Sequence, residues 1–151
     1  NLNELIDELG LLVRHKLANQ NVRLVRDLQA DLPLVMGDAP QLEQAFLNLI
    51  LNAAEAMTGG GTLTIQSREI RQPRTGDLAT YAVVEFKDTG KGMNANLQRS
   101  AFTAVLATTK TKGTGLGLAV VGRIIETHRG TVRIKSPSGR GTTVRVALPA
   151  R

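Results

Sequence analysis

TTKTKGTGLGLAV, Thr108 to Val120, sets Gly113, Gly115 and Gly117 two residues apart between a lysine-bearing loop and an apolar run. A P-loop would end in Gly-Lys-Ser/Thr, and a dinucleotide fingerprint would need a further glycine where Val120 stands and a strand just upstream. Neither pattern fits. Leu116, Leu118, Ala119, Val120, Val121, Ile124 and Ile125 recur with helical period, and Thr114 fits an N-cap. The glycines therefore sit at a helix N-terminus, where free N–H groups and the helix dipole attract anions and glycine permits close approach. A flexible surface turn would read the same way in isolation, so the rest of the chain has to arbitrate.

A chain of 151 residues without an internal repeat suits one domain. With 42% hydrophobic residues it can build a core, and with 3% aromatic residues and no tryptophan that core is aliphatic. Few rings are left on which single-stranded nucleic acid could stack, which argues against that partner. The net charge of +6 is scattered rather than gathered in one basic block, and suits an anionic ligand or an acidic partner. No cysteine means no disulfide framework or thiolate metal site, and two isolated histidines spell no zinc site. Neither a signal peptide nor a membrane-span pattern is visible, which is compatible with the cytoplasm. The chain opens in mid-helix style, and the expectation is a fragment of a longer protein.

Leu2, Leu5, Ile6, Leu9, Leu12, Val13 and Leu17 predict an amphipathic helix over about residues 2 to 19. Val22, Leu24 and Leu28 follow as a strand. Asp38, with Pro40 behind it, opens a long helix that runs to about Met57. Leu63 and Ile65, then Ala82, Val84 and Phe86, predict two strands joined by the polar loop RQPRTGD. A short helix is expected at about 95 to 102 and a longer one from Thr114 to His128. A last hairpin runs through Val132 and Ile134, the turn SPSGRG, and Val144, Val146 and Leu148, with Arg133, Lys135, Thr143 and Arg145 on the opposite face. One sheet face is then wet and helices cover the other, an α/β sandwich.

On the helix from Gln41 to Met57, Gln44, Asn48, Asn52 and Glu55 form one polar stripe without lysine or arginine. Asparagine is a poor helix former, so the stripe reads either as a solvated face or as a wall facing a ligand. An asparagine amide oxygen, with waters and phosphate oxygens, suits Mg2+. Asp88 continues the apolar row of Ala82, Val84 and Phe86 to the point where Gly90 and Gly92 take over. Either it shapes the turn through its own backbone, or it accepts a hydrogen bond from an exocyclic amine such as adenine N6.

The asparagine-bearing helix, DTGKGM, KGTGLGL and GRGTTVRVALP, in this order, resemble the ATP-binding catalytic domain of sensor histidine kinases, of the Bergerat or GHKL type. The resemblance implies a two-layer α/β sandwich with a mixed sheet, helices on one face and a mobile ATP lid over about residues 93–114. Residues 1–18 would be linker or first helix and 19–151 the ATP-binding domain. It implies that Asn52 ligates Mg2+, with Asn48 one turn before it and Glu55 after. Asp88 would read adenine, with Gly90, Gly92 and Met93 shaping the base pocket. Lys110 would approach the β- or γ-phosphate, and Gly113, Thr114, Gly115, Leu116, Gly117 and Leu118 would hold phosphates. GRGTT, Gly139 to Thr143, resembles the third glycine motif, in which Thr143 would support the water network beside Asp88. The family's aromatic F box is replaced by SAFTAVLATTK, where Phe102 is the aromatic that remains.

Function follows from the same resemblance: transfer of the γ-phosphoryl of Mg-ATP to a histidine, with Asn48 and Lys110 as the catalytic pair. His15 and His128 are followed by Lys16 and Arg129, not by the acidic residue that follows a family phosphoacceptor, so both are read as structural or surface residues. The acceptor is expected on a dimerising helical hairpin upstream of Asn1, with residues 1 to 8 as its tail or linker. A response regulator would lie downstream; the isolated domain would be a monomer and the full-length protein a homodimer, with membrane anchoring left open. Hydrolytic and serine-kinase relatives place a glutamate base where this chain has Asn48. A non-catalytic adenine-nucleotide module remains the rival from another class.

Overall fold

The computed structural model describes residues 1–90, 116–136 and 141–151. Helix α1 (Leu2–Asn19) is capped by Asn1, whose side chain accepts from the Glu4 N–H. Its apolar stripe, Leu2, Leu5, Ile6, Leu9, Val13 and Leu17, is buried in the same core as the rest of the chain. Strand β1 (Val22–Leu28) runs parallel to β2 (Gly61–Arg74), and a parallel pair needs a crossover, which α2 (Ala39–Glu55) supplies. As the sequence predicts, Asp38 caps α2 by accepting from the Gln41 N–H, with Pro40 in the first turn.

Strand β3 (Asp77–Asp88) pairs antiparallel with β2 from Leu63↔Asp88 to Arg74↔Asp77. The expected polar loop RQPRTGD is therefore mostly strand. Thr75 and Gly76 both take positive φ, 48° and 87°, which lets two residues make the whole hairpin turn. Beyond Ser67 no strand among the described residues pairs with the outer edge of β2, and such an edge tolerates the missing N–H of Pro73.

Helix α3 (Leu116–Thr127) leads to β4 (Thr131–Lys135), which pairs antiparallel with β5 (Thr142–Pro149). The sheet order is β1-β2-β3-β5-β4. Leu63, Ile65, Val84, Phe86, Val144 and Val146 face the buried sides of α1, α2 and α3, while Lys87, Arg133 and Lys135 lie on the uncovered face. The result is the mixed two-layer sandwich. Phe46 of α2 meets Phe86 of β3 edge to face, ring centroids 5.4 Å apart, a geometry worth about 0.5–1.5 kcal/mol beyond burial. That contact holds α2 over the end of β3.

His128 follows α3 and ties it to α2. Its Nδ1 donates to the Ile124 carbonyl (2.7 Å), leaving Nε2 to accept the Asp38 N–H (3.0 Å). The ring is thus fixed in one neutral tautomer. At the C-terminus, a bridge between Val35 and Ala150 and the Arg151 N–H donating to the Leu34 carbonyl (2.7 Å) pin the loop before α2.

Candidate nucleotide site

Asp88 ends β3 on the core face, directly opposite Thr142 of β5. Its Oδ1 accepts from the Gly90 N–H (2.9 Å) and the Thr142 N–H (3.2 Å), while Oδ2 takes no hydrogen bond from the described residues. Burial pushes the carboxyl above its ordinary range, and these two backbone bonds offset that only in part. The site thus holds a partly desolvated carboxylate with one oxygen free to accept a further donor.

Two glycines make this geometry possible. A Cβ on Gly90 would come within 2.6 Å of the Ala56 carbonyl, so glycine lets the chain leave β3 against the end of α2. Gly141 has φ +81°, and a Cβ there would collide with the Asp88 carbonyl oxygen. Behind Asp88, the buried Ser136 and Thr142 hydroxyls are 2.7 Å apart, and Ser136 also donates to the Gly141 carbonyl (3.2 Å). They fix the loop end that carries the Thr142 N–H.

Asp88 lines a narrow cleft of about 60 Å³ that opens to solvent. Leu49, Asn52 and Ala53 of α2 with its C-cap Ala56 form one wall, Phe86, Ile134, Thr142 and Val144 of the sheet the other, and Leu118 of α3 closes one side. An apolar slot with a carboxylate at its base suits a flat heteroaromatic ring bearing an exocyclic amine. Because Leu118 lies in the first turn of α3, the positive end of that helix dipole also borders the cleft.

Asn52 lines this cleft and Asn48 stands one turn before it; both are half-buried, and neither side chain has a hydrogen-bond partner among the described residues. Their amides remain available to a ligand. No cluster of three or more His, Cys, Asp or Glu that could cage a metal occurs among the described residues. An Asn oxygen fits Mg2+ that keeps most of its waters and arrives with phosphate oxygens. Glu55 is exposed at the last turn of α2.

The fold therefore brings Asn48, Asn52, Asp88, Gly90 and Leu118 to one region, and α3 begins at Leu116 and Gly117. Gly92, Met93, Lys110, Gly113, Thr114 and Gly115 lie outside the described residues, as do the expected lid over 93–114, its helix at 95 to 102, Phe102 and Gly139. Thr143 requires a correction. It pairs with Lys87 and Lys135 on the uncovered face, and Thr142 takes the place beside Asp88. Strand parity carried the signal: Val144, Val146 and Leu148 extend back by twos to Thr142. Ser136 extends the row of Val132 and Ile134 in the same way.

Among known proteins, residues 37–151 match the family model described as histidine kinase-, DNA gyrase B-, and HSP90-like ATPase. The chain is 39% identical over 131 residues to the sensory histidine kinase/phosphatase NtrB of Rhodobacter capsulatus, covering 83% of this chain and 36% of NtrB. It is 34% identical over 151 residues to sporulation kinase C of Bacillus subtilis, covering 99% of this chain and 33% of that protein. The chain thus spans about a third of the length of these relatives. The nucleotide-free catalytic domain of histidine kinase ThkA superposes with a TM-score of 0.79 at 29% identity, covering 99% of this chain and 95% of ThkA's. ThkA bound to the response regulator TrrA gives a TM-score of 0.78 at 26% identity, covering all of this chain and 41% of that one.

Fold and family match together define an ATP-binding domain. The chain belongs to the histidine kinase-, DNA gyrase B- and HSP90-like ATPases, and within them it is a catalytic domain of the sensor histidine kinase type. No described helix is long and apolar enough to cross a membrane.

Proposed function

We propose that the cleft beside Asp88 binds the adenine of Mg-ATP and that the domain presents the γ-phosphoryl to a histidine on a helical hairpin outside this chain. The observation that carries this reading is the half-satisfied Asp88 carboxylate at the base of an apolar slot whose opposite wall bears Asn52. Asp88 accepts from the adenine amine and so sets the depth and orientation of the base. Asn52 holds Mg2+, which neutralises phosphate charge when bound. Lys110 and the amides of Gly113 to Leu118 are assigned to the phosphates.

In the transfer, a neutral imidazole nitrogen uses its lone pair to form the new N–P bond as the bond to the β,γ-bridging oxygen breaks. ADP departs with that electron pair, and the imidazole proton passes to solvent. The protein supplies position and electrostatics, and the nucleophile needs no base comparable to one that activates water. Asn48, the other residue assigned to catalysis, is suited to hydrogen-bond water near the phosphates and cannot deprotonate it.

The hairpin domain of the same protein is the proposed first partner, joined through the α1 end of the chain, and a response regulator is the proposed second acceptor. The full-length protein would dimerise through the hairpin and keep this domain in the cytoplasm, where ATP is present. The test supplies the upstream hairpin and follows γ-phosphate radiolabel into acid-labile phosphohistidine. Transfer that depends on Asp88 and Asn52 supports the reading; tight nucleotide binding without transfer favours a non-catalytic nucleotide module.

A further inference from the structure

The uncovered sheet face holds a second depression, remote in function from the nucleotide cleft and lined by different residues. Arg74 at the end of β2, Arg145 on β5, Arg133 on β4 and Arg129 before β4 surround Tyr81 of β3, around a volume of about 290 Å³. Among the described residues, no acidic side chain and no lysine lines it. Arg133 and Arg145 stand directly opposite each other across β4–β5, an arrangement of like charges that destabilises a strand pair. Glu85 stands opposite Arg145 and Asp77 opposite Arg74, so they offset part of this charge, but neither closes an ion pair with the group: the ion pairs among the described residues are Arg26–Asp7 and Arg71–Glu69. Arg129 adds its charge from a backbone with φ +61°, uncommon for a side-chain-bearing residue.

We infer that this depression is a binding site for a compact polyanion carrying two or more phosphate groups. Guanidinium forks match phosphate oxygens bidentately, which a cluster of arginines without lysine favours. Across the sheet the residues span β2 to β4, three strand spacings or roughly 14 Å, and Arg74 lies further along the strands from Arg145, more than a single phosphate can bridge. A protein partner is less well served. The lining offers Ile70, Tyr81 and Ala147 as its apolar residues, too little for the apolar centre that a stable protein interface needs. Bound phosphates would also remove the repulsion between Arg133 and Arg145, so binding and strand pairing would reinforce each other.

The test titrates the whole chain with tripolyphosphate at physiological ionic strength and follows backbone amides by 1H–15N NMR. This readout separates the two sites, since the nucleotide cleft reports through Asp88 and Gly90. Saturable shifts at Tyr81, Thr131 and Ala147 are expected, weakened about tenfold or more in an R133Q/R145Q variant. Without anion the single variant R133Q, which leaves Arg145 opposite Glu85, should melt no earlier than the parent, because it loses a repulsion. Cosedimentation with phosphatidylglycerol–phosphatidylcholine vesicles, but not with phosphatidylcholine alone, and lost in the double variant, would identify a lipid headgroup as the source of phosphate; tripolyphosphate binding without vesicle binding would identify a free ligand. Absence of saturable shifts on this face, shifts unchanged in the double variant, or equal affinity for hexaglutamate would overturn the inference.

Discussion

Gly141 abuts the Asp88 carbonyl so closely that it has no room for a Cβ, and its φ of +81° is one that glycine alone adopts without cost. The contact joins the start of β5 to the end of β3 at the point where the Asp88 carboxylate receives the Thr142 N–H. Gly141→Ala should therefore act on stability and site together. Strain in the left-handed region costs about 1–3 kcal/mol, and the steric clash adds to it. Chemical denaturation should show a loss of at least this size, with nucleotide affinity falling in parallel. A variant as stable as the parent would show that the β3–β5 junction relaxes freely.

Asp88→Asn separates the two effects. An asparagine carbonyl oxygen still accepts the Gly90 and Thr142 N–H bonds, and it escapes the burial that penalises the charged form. Thermal stability near neutral pH should be unchanged or slightly higher. ATP affinity should drop about ten- to hundredfold, the equivalent of a charge-assisted hydrogen bond worth roughly 1.5–3 kcal/mol. Calorimetric titration beside a melting curve reads both; parent-like affinity would remove adenine reading from Asp88.

Much of this site was legible in the sequence because it rests on local periodicity. The four- and three-residue spacing of Asn48, Asn52 and Glu55 marks one helix face, and the alternation through Val84 and Phe86 marks the direction of Asp88. What was missed depends on pairing between distant segments. Register puts Thr142, not Thr143, opposite Asp88, and the Ser136–Thr142 hydroxyl pair exists only because β4 and β5 leave the same cleft side by side. The RQPRTGD stretch misled because its composition is that of a loop, whereas a Thr-Gly turn needs two residues and lets the rest pair. The tie between His128 and Asp38 spans 90 positions and left no local trace.

The raised pKa of Asp88 gives a pH dependence with a definite sign. Between the unfolded and the folded pKa the native state binds more proton, so this group's contribution to stability is largest at low pH and declines as pH rises through the folded value. Under the proposed adenine contact, nucleotide affinity should run the other way, because the ionised carboxylate is the stronger acceptor for the amine. Affinity is expected to weaken as pH falls through a value above the ordinary aspartate range of about 4, and this inflection should vanish in Asp88→Asn. An identical inflection in both proteins would assign it to the nucleotide or to another group.

Asn48 and Asn52 predict that binding and turnover come apart. Both amides are half-buried on one face of α2 and unpartnered among the described residues, but they differ in place: Asn52 lines the cleft and Asn48 stands one turn back. Asn52→Ala should leave metal-free ADP binding intact and erase the gain that Mg2+ gives to ATP. At Asn48 the issue is proton transfer. An amide cannot take a proton from water, so the parent chain should bind Mg-ATP and hydrolyse almost none of it. Asn48→Glu puts a carboxylate at the same helical position, and general-base assistance is worth about 10²–10⁴-fold where alignment is good. A helix position chosen without realignment should recover part of that range, seen as phosphate release that rises with pH until the new carboxylate is ionised. Vigorous multiple-turnover hydrolysis by the parent chain would mean that another group activates water, and the assignment of Asn48 as the residue that withholds hydrolysis would fall.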